Sequence, residues 1–152
     1  MTRLVVVIPL QPLVTGARFS FRDWPLHVTV VQVFEASITQ SIERMSRFEY
    51  PAFTVTAGDD EGFGPSGGIP VTVLEPSPQL SALHVSLTDA LQPLELENPE
   101  FAGENYRAHV TIKQHGRVRS GDRIHLSQLA LVDLTPGRQR EVLAITMLTE
   151  VV

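Results

Sequence analysis

His27-Val28-Thr29-Val30 occurs a second time, nearly unchanged, as His109-Val110-Thr111-Ile112. Because successive side chains point to opposite faces of a β-strand, this alternation predicts two half-buried strands. Each histidine then shares a face with the threonine two residues further on, about 6.6 Å away along the strand. The Val and Ile residues between them point the other way, into a core. The repeat therefore predicts two strands that each present one imidazole and one hydroxyl on the same side.

Further short segments rich in Val, Ile, Leu and Thr predict a sheet around these motifs. The predicted strands are Leu4–Leu10, His27–Phe34, Ala52–Ala57, Pro70–Leu74, Ala108–Gln114, Ile124–Leu134 and Val142–Thr149. Apolar residues at helical spacing predict helices over Ala36–Phe48 and Pro78–Leu94. We therefore expect an α+β fold, with a largely antiparallel sheet and one helix on each half. The first motif strand continues on its histidine face as Val31 and Val33, and the second as Lys113 and His115.

Two connecting segments carry turn residues. Gly58–Gly68 is rich in Gly and predicts either a long hairpin tip or a lid, in which Asp59, Asp60 and Glu61 are solvated. Thr135–Arg138 predicts a tight turn between the last two strands.

Length and composition limit the classes of protein that this chain resembles. The 152 residues, 43% of them hydrophobic, fit one domain over 1–152 with its own core. The net charge of −5 argues against a broad electrostatic surface for long nucleic acid, though a few local donors can still hold a small anion. Cysteine is absent, which excludes disulfides, thiolate metal ligands and a cysteine nucleophile and fits a cytoplasmic protein.

The N-terminal apolar run does not predict a targeting segment. Leu4–Ile8 is β-branched, stops at Pro9 and meets no small-residue cleavage site, so we interpret it as a buried strand. No apolar stretch approaches the roughly 20 residues needed to span a bilayer, and we expect no membrane partner.

The paired motifs, the helix after the first and the helix before the second resemble the 2H phosphoesterase superfamily, in particular its 2′–5′ RNA ligase-like branch. The resemblance extends from the strand at Leu4 to the strand that ends near Thr149. It implies a bilobal α+β protein, with two intertwined lobes, pseudo-twofold symmetry and a central groove. It also implies hydrolase or RNA-processing chemistry on 2′,3′-cyclic phosphates or 2′–5′ phosphodiesters, without metal or cofactor. The substrate would be a small nucleotide or an RNA end.

The same resemblance assigns roles to individual residues. His27 and His109 match the catalytic pair, and Thr29 and Thr111 match the residues that bind the substrate phosphate. Many family members have Arg two residues beyond the second hydroxyl, where this chain has Lys113, which keeps the charge without the bidentate fork. Hydrolysis of a phosphodiester needs a base for water and an acid for the departing ribose oxygen. A histidine with a reference pKa near 6.5 can serve as either.

An aromatic residue precedes each motif by three positions, Trp24 and Tyr106. These rings either stack on a nucleobase or pack as core aromatics, and both interpretations stay open at this point. Which histidine is the base, hydrolysis as against ligation, and the oligomeric state are equally open.

Three other functions fit the sequence less well. A metal site of His27, His109 and His115 lacks a carboxylate at suitable spacing. Ser66 lies among glycines without the strand–turn–helix setting of a serine nucleophile. A non-catalytic module that binds a nucleotide or phosphate in the same groove is the main alternative, and the intact histidine and threonine of both motifs favour the enzyme.

Overall fold

A computed structural model gives the architecture of residues 2–150. The strands are β1 (Thr2–Pro9), β2 (Arg18–Ser20), β3 (His27–Ala36), β4 (Phe53–Phe63), β5 (Ile69–Leu74), β6 (Glu95–Leu96), β7 (His109–Thr111), β8 (Arg123–Leu126), β9 (Gln128–Asp133) and β10 (Gln139–Met147). The helices are α1 (Ile38–Arg47) and α2 (Pro78–Ala90). The strands follow one another in the order β2-β10-β9-β1-β3-β7-β5-β4-β8, and β6 pairs with β3. Since the named strands pair antiparallel throughout, the predicted α+β class is confirmed.

The two faces of the sheet bury different sets of side chains. The larger core contains Leu4, Val6 and Ile8 of β1, Val28 of β3 and Val110 of β7. A smaller cluster on the opposite face contains β1 residues with the alternate parity and residues of β9 and β10: Val5, Val7, Ala130, Val132, Leu134 and Val142. Because β1 is buried on both faces, its unbroken apolar run is required by its position between β9 and β3.

Both helices begin at a serine N-cap. The side chain of Ser37 accepts a hydrogen bond from the backbone N–H of Gln40, and the side chain of Ser77 accepts one from Leu80. Helix α1 packs against β10 and α2 against β3, and their buried side chains join the larger core. Helix α2 ends at Ala90, earlier than the sequence predicts, and Pro93 follows the last turn.

Strand β3 departs from the predicted alternation because of irregular pairing with β1. Val6 lies opposite Val31 but Val7 lies opposite Thr29, so one extra residue is inserted in β3. Val30 and Val31 are consequently both buried in the larger core. The prediction that Val31 shares the histidine face is wrong, whereas Val33 does pack against the opposite cluster.

The segment predicted as a turn-rich loop is mostly strand. Strand β4 continues to Phe63 and forms a hairpin with β5, so the hairpin interpretation is correct. Two of its three acids are not free in solvent. Asp60 forms an ion pair with Arg117 at 2.7 Å, and Glu61 forms one with Arg107, also at 2.7 Å. The cationic partners are distant in sequence, which is why composition alone indicated solvated carboxylates.

Two other predicted strands are shorter than expected. The chain turns back after β7, where the backbone N–H of Lys113 donates to the carbonyl of Gly116, and His115 lies exposed in that turn. The predicted strand Ile124–Leu134 is divided at Ser127 into β8 and β9. The tight turn over Thr135–Arg138 is confirmed between β9 and β10. Within residues 2–150, no helix has the length and apolarity needed to cross a membrane.

Truncation of a core residue tests this packing. Phe34 is fully buried in β3, so we expect Phe34→Ala to lower the free energy of unfolding by about 3–5 kcal/mol. Urea denaturation measures the change. Phe101→Ala removes a phenyl ring that is 54% exposed, and as the matched control it should cost less than about 1 kcal/mol. Equal losses in the two variants would contradict the placement of Phe34.

Candidate active site

The two motifs meet because β3 pairs directly with β7. Val28 lies opposite Val110 in an antiparallel register, and both side chains are buried in the larger core. Extending this antiparallel register by one residue in each direction sets His27 opposite Thr111 and Thr29 opposite His109 on the other face. Directly opposed side chains have Cβ atoms about 4.5–5.5 Å apart. The structure therefore brings the four predicted site residues into one patch in which imidazoles and hydroxyls alternate.

The two imidazoles are held by the same local device. Nδ1 of His27 lies 2.8 Å from the backbone oxygen of Pro25, and Nδ1 of His109 lies 2.8 Å from that of Arg107. Since a carbonyl oxygen only accepts hydrogen bonds, Nδ1 donates in both cases and carries a proton. Nε2 of each ring is then the atom that accepts a proton when the ring is neutral and releases one when it is charged.

An aromatic ring contacts each imidazole. The ring centroids of Trp24 and His27 are 3.8 Å apart, and those of Phe63 and His109 are 4.6 Å apart in an edge-to-face arrangement. Phe63 comes from β4, and its sequence position gave no signal of this contact. Both rings remove water from the imidazole beside them.

Tyr106 has a different role from Trp24. Its ring stacks on the buried ring of His84 with centroids 4.1 Å apart, and its hydroxyl donates to the backbone oxygen of Thr29 at 2.7 Å. His84 contacts the next carbonyl of β3, that of Val30, at 2.7 Å. Tyr106 thus packs against the core and is not placed to stack on a nucleobase, which corresponds to the core-aromatic interpretation of the sequence.

Two cations adjoin Trp24. Nζ of Lys113 lies 6.0 Å from the indole centroid, and the guanidinium carbon of Arg140 lies 5.8 Å from it. Within residues 2–150 neither side chain forms a salt bridge. Lys113 was predicted from its position after the second motif. Arg140 was not, because it lies on β10, three strands away from β3 in the sheet.

Burial controls the protonation of the histidines. Removal from water lowers the pKa of His27 from 6.5 to about 4, the hydrogen bond to Pro25 opposes that change, and the positive charge of Lys113 reinforces it. Smaller effects of His109 and Arg140 act in the same direction as Lys113. The pKa of His109 is also lowered, chiefly by burial. Both rings are therefore neutral at pH 7 in the free protein, with His27 the harder to protonate.

A cavity of about 300 Å³ opens beside these residues. It is lined by Thr29 and His109 from the two motifs, by Trp24 and Arg140, and by further side chains that the sequence did not single out: Val5, Gln32, Val33, Asn98 and Leu134. A larger cavity of about 510 Å³ lies at the start of α2, around Glu75, Ser77 and Arg107. Neither motif histidine lines it, and Arg107 is already paired with Glu61. We place the candidate site at the smaller cavity because Thr29 and His109 line it, although His27, Thr111 and Lys113 do not.

The threonine hydroxyls are available as donors. Within residues 2–150, neither the Thr29 nor the Thr111 hydroxyl forms a hydrogen bond to another residue. The same part of the chain contains no group of three or more His, Cys, Asp or Glu side chains arranged to hold a metal ion. The patch thus combines two proton-transfer groups, two hydroxyl donors and two cations.

The fold is that of LigT-like phosphoesterases. The match to a phosphoesterase crystal structure covers 97% of this chain and 98% of the matched chain, with a TM-score of 0.62 and 17% sequence identity. LigT of E. coli in complex with 3′-AMP gives the same coverage, a TM-score of 0.61 and 18% identity. The protein TT0787 of Thermus thermophilus covers 95% of this chain and 97% of its own, with a TM-score of 0.56 and 15% identity.

The sequence itself identifies the family. Residues 11–135 match the model of the 2′-5′ RNA ligase superfamily, and the chain belongs to that superfamily. No protein of curated function matches the sequence. The resemblance that the paired motifs indicated is thereby confirmed at the level of the superfamily.

The lowered pKa of His27 predicts an acid-sensitive contribution to stability. In the unfolded chain His27 takes up a proton below about pH 6.5, whereas in the folded protein it stays neutral down to about pH 4. Between these pH values the unfolded chain binds more protons, so acidification favours unfolding. The effect amounts to at most about 3 kcal/mol across that range. Urea denaturation between pH 4.5 and 7 measures it. We expect His27→Gln to flatten the pH dependence relative to the wild type, and identical slopes would contradict a neutral His27.

Proposed function

We propose that this protein is a phosphodiesterase that hydrolyses a 2′,3′-cyclic phosphate or a 2′–5′ phosphodiester, with His27 and His109 as the acid–base pair. The observation that carries the proposal is the antiparallel pairing at Val28 and Val110, which sets each imidazole opposite the hydroxyl of the other motif. Membership of the 2′-5′ RNA ligase superfamily supports this class of reaction.

The proposed reaction needs two proton transfers at one phosphorus atom. Nε2 of one neutral histidine takes a proton from water as the water oxygen bonds to phosphorus. The bond from phosphorus to one ribose oxygen breaks, and Nε2 of the other, protonated histidine gives its proton to that oxygen. The product is a ribose hydroxyl and a phosphomonoester, and the two histidines have exchanged protonation states.

The pKa values favour one assignment of these roles. Between the pKa of His27, near 4, and the higher pKa of His109, the main singly protonated form has neutral His27 and charged His109. We therefore assign His27 as the base and His109 as the acid in hydrolysis. Ligation would use the same roles, with a ribose hydroxyl in place of water as the group that His27 deprotonates and a new phosphodiester as the product.

Thr29, Thr111 and Lys113 are proposed to bind the non-bridging phosphate oxygens. Charge on these oxygens is redistributed as phosphorus becomes five-coordinate, and donors already in position stabilise it without reorganisation. The free hydroxyls supply two neutral donors and Lys113 supplies a charge. Trp24, which lines the cavity beside Thr29, is the ring available for a nucleobase.

A small nucleotide or a nucleic-acid end is the proposed substrate. E. coli LigT, with which this chain shares its fold, has been crystallised with 3′-AMP and with ATP. The cavity of about 300 Å³ suits part of a ligand of that size. The net charge of −5 argues against an extended surface for long RNA.

Removal of either histidine should nearly abolish turnover. We expect His27→Ala and His109→Ala each to lower kcat for a 2′,3′-cyclic nucleotide by about 10²–10⁴-fold, the usual contribution of positioned proton transfer. Product formation is followed in EDTA, so that trace divalent metal cannot contribute. His125→Ala is the matched control, because His125 lies exposed on β8 beside Glu150, and it should keep wild-type activity.

Two outcomes would contradict the proposal. Activity that survives in both histidine variants would place the chemistry elsewhere. Nucleotide binding without turnover in the wild type, across a panel of 2′,3′-cyclic and 2′–5′ substrates, would instead identify a binding module.

The pH dependence of kcat/KM should be bell-shaped and displaced to acidic pH. Activity rises as the base loses its proton, near pH 4, and falls as the acid loses its own, below pH 6.5. These limits belong to the coupled pair of histidines. Initial rates at low substrate between pH 3.5 and 8 measure them, and a falling limb centred above pH 7 would show that His109 is not the acid.

A further inference from the structure

We propose that Arg140 is a second phosphate-binding residue of this site, and that it supplies the bidentate fork that Lys113 cannot. The inference rests on the proposed function, because it names a further ligand for the same substrate anion. Arg140 lies on β10, near the C-terminal end of the chain, and belongs to neither motif.

The sheet places Arg140 on the correct face. Val142, two residues further along β10, is buried in the smaller cluster with Val5 and Val7. Residues two apart on a strand share a face, so Arg140 lies on the side of the sheet that carries Thr29 and the histidines. It lines the same cavity as Thr29 and His109, and its charge is among those that lower the pKa of His27.

The guanidinium is held at one edge and free at the other. Nη1 of Arg140 donates to the backbone oxygens of Gly137 at 2.7 Å and Gln139 at 3.3 Å. Nε is buried without a hydrogen-bond partner, and within residues 2–150 Nη2 makes no hydrogen bond either. Nε–H and the adjacent Nη2–H point in parallel from one edge of the planar group. This edge is the geometry that binds two oxygens of a phosphate.

The buried Nε–H of Arg140 lowers the stability of the fold as long as it has no hydrogen-bond acceptor. Leaving such a group unsatisfied destabilises the fold, and more so when the group is charged. The chain has 17 acidic side chains, yet in the described range none forms a salt bridge with Arg140 or with Lys113, which both lie about 6 Å from the ring of Trp24. The carboxylate of Asp23 acts on Lys113 only through its charge, which raises the pKa of the ammonium less than burial and Arg140 lower it. Two unpaired cations beside one indole form a site for an anion, and the substrate phosphate is the anion that this cavity is proposed to receive.

Inorganic phosphate tests the inference independently of turnover. Trp24 is the only tryptophan of the chain, so its fluorescence reports on this site alone, and calorimetry gives the same affinity without a probe. We expect Arg140→Gln to weaken phosphate binding about 10- to 100-fold, and to raise KM for the cyclic nucleotide by a similar factor. Arg140→Lys keeps the charge but loses the fork, and should fall between the wild type and Arg140→Gln.

Arg123→Gln is the matched control. It removes an exposed arginine of the edge strand β8 and should leave phosphate affinity and KM at wild-type values. Urea denaturation confirms that each variant is folded. Should Arg140→Gln fail to fold, Arg140→Lys carries the test through its loss of affinity.

The outcomes separate this inference from the proposed function. Wild-type phosphate affinity and KM in both Arg140 variants, together with turnover that depends on His27 and His109, would overturn the role of Arg140 alone. Weakened phosphate binding in Arg140→Gln, in a protein that turns over no phosphodiester, would support the anion site and overturn the proposed reaction.

Discussion

The site depends on one backbone interaction, the antiparallel pairing of β3 with β7 at Val28 and Val110. Strand β7 has only three residues, so this register positions all four candidate site residues at once. A shift of one residue would turn His109 and Thr111 into the core and expose Val110. The burial of Val28 and Val110 in one core opposes that shift, because the shift would expose Val110 to water and remove its contact with Val28. The remainder of the fold holds this pair in place: β1 supports β3, and β5 supports β7.

The chemistry of the site comes from how its imidazoles are desolvated. Trp24 and Phe63 exclude water from one ring each, and the backbone oxygens of residues two positions earlier fix both tautomers. Burial disfavours the charged form, so the free protein holds two neutral imidazoles with Nε2 as the reactive atom. An incoming phosphate reverses this preference, since its negative charge stabilises an imidazolium. In the proposed reaction, binding of the phosphate therefore favours protonation of His109, the proposed acid.

The sequence predicted the class of fold and the two motif strands because both follow from local patterning, whereas the direct pairing of β3 with β7 comes from the structure. The sequence alone was enough to select the four motif residues, because a repeated His-x-Thr pattern can be recognised without knowledge of the fold. These residues are His27, Thr29, His109 and Thr111. Phe63 and Arg140 could not, since each reaches the site from a strand whose place in the sheet is set by long-range packing. Val31 was assigned to the wrong face for a related reason: the irregularity in β3 depends on its register with β1, which no local signal records. The paired acids Asp60 and Glu61 likewise depend on distant arginines.

The candidate site is positively charged, although the protein as a whole carries a net negative charge. The net charge is −5, yet within residues 2–150 Lys113 and Arg140 lie beside Trp24 without a salt bridge to a carboxylate. Neighbouring like charges repel: burial lowers the pKa of Lys113, Arg140 lowers it further, and the carboxylate of Asp23 opposes both. The repulsion between these two cations destabilises the folded protein, and packing elsewhere in the fold offsets it. A bound anion would remove this repulsion. Under the proposed function, the net negative charge would discourage long polyanions, while the two cations beside Trp24 would hold a compact one. If Arg140 binds the phosphate as proposed, its guanidinium fork compensates for the Lys that stands at position 113, where many family members have Arg.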